Sequence, residues 1–268
     1  MPHKTDPSIT DYCAGVLLAV TIFGQWAFAA YIVSFYAFPV AAGNIESWNN
    51  NVLLAQPPVQ AGKWLDTSAF GAHAIGASII ALFGGLQIVP YVRNRWRRFH
   101  RWNGRIFVAT IVALCLSGYH LTWVRGPLPD SLSDFGTSVN GCLIIGFAVM
   151  TILTATRGRF MQHERWAVRL FLVSNAQWFL RIGGFGYFVI AQSLGNEVAF
   201  DGWFFKFWTW GCFIVPLLVA ELYFQTRRAR HAQVRWVSAA ILALLTPVVL
   251  VGIATFSYFS IQIIQGTV

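Results

Sequence analysis

Charge is what this chain has least of. Of its 268 residues only 11% are charged, against 56% hydrophobic, whereas a soluble domain carries about 25% charged residues. That shortfall excludes an ordinary water-soluble fold, because helices apolar on every side cannot hide their surface in water. Cysteine is scarce as well. Cys13, Cys115, Cys142 and Cys212 fall in or beside apolar runs without paired spacing. They read as small buried residues, and neither a disulfide framework nor a Cys-metal site is expected. Acidic residues number 10 against 19 basic ones, for a net charge of +9. The basic residues do not gather into a soluble patch, which excludes nucleic acid as the partner. A short signal peptide is also missing, since Lys4 is the sole cation before an apolar run from Tyr12 to Ile45 that is too long for an h-region.

What is present is a series of long apolar runs separated by basic hinges. The expected architecture is an all-α integral membrane protein of about seven transmembrane helices, forming a single domain over residues 1–268. The runs predict a four-helix core (helices 2–5) at 67–192, built from helices at 67–91, 103–124, 135–156 and 168–192. Flanking helices are expected at 12–38, 203–225 and 236–262, the first ended by Pro39 and Gly43. Residues 41–66 form the longest loop, and Pro127 and Pro129 mark a shorter one. The hinges, at 93–105, 157–169 and 227–235, hold every Lys and Arg except Lys4, Lys63, Arg125, Arg181 and Lys206. Positive charge marks the cytoplasmic side, so the hinges and the N-terminus are expected inside and the C-terminus outside. The first two hinges resemble each other, Arg98-Phe99-His100-Arg101-Trp102-x-x-Arg105 beside Arg159-Phe160-x-x-His163-x-Arg165-Trp166-x-x-Arg169. This suggests a parallel internal repeat of helices two–three and four–five; two cytoplasmic loops sharing Arg and Trp through orientation rules alone is the plainer account.

Polar groups inside a bilayer are costly and are functional candidates by default. His73 lies roughly 10 Å along its helix from Asp66, and His120 roughly 7–8 Å short of Arg125. The two imidazoles therefore fall at similar depth, away from the hinge, with small residues Gly71, Gly76, Ser78, Ser117 and Gly118 around them. That is the arrangement a haem b between helices requires, with His73 and His120 as axial ligands and Arg181 or Arg125 meeting a propionate. The plainer account is that the two histidines pin helix two to helix three. A bare metal site lacks a third and fourth ligand at the same depth. His100 and His163, at equivalent places in the hinges, form with Arg105, Arg169, Gln87 and Asn175 a candidate substrate or electron-donor site, or simply a basic face toward lipid headgroups. Glu164 and Glu221 are expected to pair with hinge arginines.

The pattern His73…Gly76…Gly84-Gly85-x-Gln87-x-x-Pro90-x-x-Arg93, then His100-Arg101-x-x-Gly104-Arg105, Ser117-Gly118, His163-x-x-Trp166-x-x-Arg169 and Arg181 resembles the bacterial multi-pass membrane proteins catalogued as domain of unknown function 2306. The resemblance covers about residues 70–190. It implies a multi-pass fold in the bacterial inner (plasma) membrane and lends no activity. The chain is more loosely similar to ascorbate-type transmembrane cytochromes b, whose four core helices carry paired histidines; helix four here has none, a departure from their two-haem pattern. Two functions follow as expectations. One is a haem b-dependent membrane oxidoreductase, passing electrons from a quinol or other small donor. The alternative is a cofactor-free binding or transport protein for an anionic or amphipathic small molecule, its cavity lined by Arg181, Gln87 and Asn175. A lipid-modifying enzyme using the hinge histidines ranks last, since the His-x-x-His spacing of a di-iron hydroxylase is missing.

Overall fold

Pro39 does not end the first helix. A proline fits the first turn of a helical segment, where its missing N–H has no partner to lose. Here α1 (Ile9–Ile32) loosens into a π turn at Val33–Ala37, and α2 (Phe38–Ala41) restarts around Pro39. Gly43, at φ 71°, then stops the helix in the left-handed region. The computed structural model describes residues 8–51, 54, 56–125, 131–198, 202–227 and 231–267. Lys4, Pro127, Pro129, Arg228 and Arg230 lie outside the described residues.

The start of α1 is fixed by a capping box, with the Ser8 hydroxyl on the Asp11 N–H and the Asp11 carboxylate on the Ser8 N–H. After the loop come α3 (Trp64–Phe83), a 3-10 turn at Gly85–Gln87, and a short α4 (Pro90–Arg95). α5 (Arg97–Tyr119) starts inside the first hinge, six residues earlier than the apolar run suggests, and ends in a π turn at His120–Val124. α6 (Ser131–Thr156) turns at the left-handed Gly158 into α7 (Phe160–Ser174). α8 (Ala176–Ser193), α9 (Trp203–Thr226) and α10 (Ala232–Gln265) complete the chain. Among the described residues every element is helical, and six helices are long and apolar enough to cross a membrane.

The expected fifth span is present but divided. Asn175, at φ −102° and ψ 12°, separates α7 from α8, and neither half meets that length and apolarity on its own. Two amides satisfy carbonyls that the break frees. Asn175 donates to Phe171 O at 2.7 Å and Asn140, from α6, donates to Val173 O at 3.2 Å.

Two apolar clusters hold the helices together. One joins α3, α5, α6, α7, α8 and α9 through Ile80, Phe107, Ile144, Leu170, Ala176 and Phe213. The other joins α1, α3, α8 and α10 through Phe28, Ala81, Trp178, Ile182, Ile253 and Phe256, and draws in Trp48 from the long loop. The first and last helices are therefore as much a part of the core as the four expected there. α8 and α10 cross backbone against backbone, since a Cβ on Gly252 would fall 2.5 Å from the Ile182 carbonyl oxygen.

Candidate functional site

α3 and α5 run antiparallel, and small residues let them approach closely. A side chain at Gly76 would meet Leu114, and Gly118 lies against the His73 ring. His73 Nδ1 sits 2.9 Å from Ser117 Oγ, whose own proton goes to the Leu114 carbonyl at 3.1 Å. The serine oxygen therefore accepts, His73 carries its proton on Nδ1, and its Nε2 holds the lone pair of the neutral ring. Further along the seam, His120 Nε2 donates to Asp66 Oδ1 at 2.9 Å. His120 opens the π turn, a distortion frequent at functional sites.

A central cavity of about 110 Å³ lies beside this seam. Its walls come from α1 (Phe28), α3 (His73, Ala77, Ile80), α5 (Ile111, Leu114, Gly118, Tyr119), α6 (Ser138, Asn140, Ile144) and the broken helix (Ser174, Asn175, Gln177, Trp178). Two buried polar atoms of lining residues have no partner among the described residues: Asn140 Oδ1 and the Trp178 indole N–H. Arg181 stands beside the cavity, its guanidinium 5.6 Å from the centre of the Phe28 ring and donating to Gln177 O at 2.8 Å. It is within electrostatic reach of His73, Tyr31 and Tyr36. No carboxylate among the described residues pairs with it. Both tyrosine hydroxyls accept from the Asn51 amide, at 2.9 and 2.6 Å, and Trp48 Nε1 donates to Tyr36 O at 3.1 Å. The long loop thus closes over this end of the bundle.

His73 lines the cavity and His120 does not; His120 turns instead to Asp66. Arg125 is also engaged elsewhere, donating to Pro57 O and lying 5.6 Å from the centre of the Phe70 ring, so it ties the loop to the bundle.

The hinge-side residues form a separate group. His100 and His163 are each the fourth residue of the helix leaving a hinge, α5 and α7, and the two rings are electrostatic neighbours. His163 Nδ1 donates to Thr151 O at 3.0 Å. Gln87, in the amide orientation that satisfies both its ends, donates to His100 O and Nδ1 at 3.2 Å and accepts from Asn103 and Gly104. Gln87 thus belongs with the hinge histidines, whereas Asn175 belongs to the cavity. Arg105 is exposed and stacks over Trp102 at 5.1 Å. Arg169 is paired with Glu221 at 2.6 Å and lies over Trp166. Glu164 bridges Arg93 at 3.0 Å and Arg227 at 3.3 Å, so both glutamates pair with hinge arginines as expected.

The residues that composition alone did not single out are Tyr31, Tyr36, Asn51, Asn140 and Trp178. For Asn140 alone a signal was there to be used, the rarity of Asn in an apolar run. A family model described as "Predicted membrane protein (DUF2306)" matches residues 70–224. The matched stretch takes in both histidine groups, the broken helix and Arg181. No curated protein and no solved structure matches the chain.

Proposed function

The chain belongs to the DUF2306 family of predicted membrane proteins, and on that footing we propose that it binds a small anionic or amphipathic molecule in the cavity at the broken helix. One observation carries this reading: Arg181, a cation within the bundle beside the cavity, pairs with no carboxylate among the described residues. An isolated charge in the hydrocarbon region is costly, and an anionic or strongly accepting ligand offsets that cost. Helices broken at mid-membrane depth around a substrate site are a recurring device in transporters. On the positive-inside rule the hinge face is cytoplasmic, so the Arg181 end of the cavity lies toward the outer side of the bacterial inner membrane.

Benzoate and short-chain carboxylates, titrated into the purified full chain, test the reading. Saturable thermal stabilisation is expected in the wild type and its loss in Arg181→Gln. Equal response of the two proteins refutes it. The haem-dependent electron-transfer reading has its own observation in the ring nitrogens that Ser117 and Asp66 leave free on His73 and His120. A visible low-spin haem spectrum, lost in both His73→Ala and His120→Ala, would put that reading in place of this one.

A further inference from the structure

On the hinge side a surface cleft of about 740 Å³ lies where α4 passes into α5. Trp96, at φ −121° and ψ 62°, makes the turn, so the end of α4 and the start of α5 flank the cleft together. Its walls carry three exposed guanidinium groups, Arg95, Arg97 and Arg98, and no carboxylate among the described residues. Residues 67–129 contain no Asp or Glu at all. Elsewhere on this face Arg93, Arg169 and Arg227 pair with acids, whereas none of the three cleft arginines does among the described residues. Arg97 and Arg98 also stand in the first turn of α5, where the helix dipole favours an anion and disfavours a cation. No side chain caps that turn, since Trp96 at the N-cap has no oxygen to offer its free amides. Beside the charges the cleft is apolar, with Leu86, Val92 and Phe99 in its walls. Trp96, 52% exposed, meets Tyr91 edge-on at 5.9 Å, and exposed Trp and Tyr favour the headgroup level of a bilayer. Two helical runs long and apolar enough to cross a membrane, Trp64–Gln87 and Arg97–Val124, adjoin the cleft. We propose that it binds the phosphate of an anionic phospholipid, whose acyl chains lie along this apolar side. Guanidinium forks match phosphate oxygens in pairs, and the uncapped amides add donors of the kind that hold phosphate at helix N-termini. Orientation of the chain alone asks for charge on this side, but not for a cleft or for cations set against a helix dipole.

This site is independent of what the central cavity holds. Its test uses the delipidated full chain in neutral detergent, with native mass spectrometry as the readout. The probes are dioleoylphosphatidylglycerol, zwitterionic dioleoylphosphatidylcholine and inorganic phosphate. The wild type is expected to bind phosphatidylglycerol about tenfold or more tightly than phosphatidylcholine, at about fivefold per arginine. Arg97→Gln/Arg98→Gln should weaken phosphatidylglycerol by about tenfold or more and remove most of that preference. Arg157→Gln/Arg159→Gln takes the same charge from exposed positions in the second hinge. It should stay within about twofold of wild type, because charges outside the cleft are screened by salt. If the two lipids bind alike to the wild type, the proposal is overturned, and that comparison depends on no variant folding. If both double variants lose affinity equally, net charge rather than a site holds the lipid, and the proposal fails. If inorganic phosphate alone binds as tightly as phosphatidylglycerol, the cleft takes a soluble phosphate and the lipid assignment fails.

Discussion

Replacing Gly252 with Ala tests how closely α8 and α10 hold the site. The added Cβ falls 2.5 Å from the Ile182 carbonyl oxygen and 3.0 Å from its carbon. Nonbonded carbon contacts are comfortable at about 3.5–4.0 Å, so the helices must part by roughly 1 Å. Neither clashing atom belongs to a side chain that can swing away. Overpacking of this kind costs about 1–3 kcal/mol, offset by up to about 1 kcal/mol for the better helix propensity of Ala. The net expectation is a loss of about 1–2 kcal/mol in denaturing-detergent titrations. Benzoate affinity should also weaken, because Ile182 follows Arg181 directly and moves with it. Gly186→Ala, in the same crossing, is the control. Its Cβ would sit 3.4 Å from Gly252 Cα, an ordinary contact, so stability should be unchanged or slightly raised. Equal behaviour of the two variants, or Gly252→Ala as stable as wild type, refutes the backbone-contact argument.

Gln25 is fully buried in α1, with neither amide atom partnered among the described residues. Gln25→Leu should therefore raise the thermal midpoint, by the equivalent of about 1–3 kcal/mol; a lowered midpoint would reveal a partner for the amide. Asn175→Ala frees the Phe171 carbonyl and favours a continuous helix, so detergent titration should show about 1 kcal/mol lost and calorimetry weaker benzoate binding. Glu164→Gln should change stability by under about 1 kcal/mol, since its side chain and those of its arginines are 38–51% exposed. Glu221→Gln, which leaves the 19%-exposed Arg169 unpaired, should lower the thermal midpoint more. Reporter fusions after Arg97 and Arg227 should be cytoplasmic and one at Asn50 external; the reverse labelling would invert the proposed orientation.

The hinges show where local chemistry spoke clearly and where it did not. Charge-free runs and basic clusters placed the helices because burying charge in hydrocarbon is costly whatever the neighbours. The spans at 203–225 and 236–262 accordingly reappear as α9 and α10, extended by a few residues at most. The same signal misplaced the start of α5, because Arg97 to Trp102 are good enough helix formers to continue the span beyond the apolar core. Pro39 misled for the converse reason: it breaks a helix interior, but a π turn converted its position into a first turn.

Composition and order along the chain determined that the protein is all-helical and membrane-spanning, and which polar residues lie deep, since those follow from transfer of each side chain out of water. Depth along a helix, however, says nothing about which way a side chain faces or what meets it. His73 and His120 were expected at similar depth, yet packing gave one to Ser117 and the cavity and the other to Asp66. Asn175 stood out only as a polar residue in an apolar run; its non-helical backbone and the Asn140 amide from α6 made it a break. Arg181 was visible as a charge, but that no carboxylate among the described residues pairs with it depends on what the other helices bring alongside. Such facts belong to tertiary structure because hydrogen bonds and ion pairs form over about 3 Å in space, between residues that the chain holds far apart.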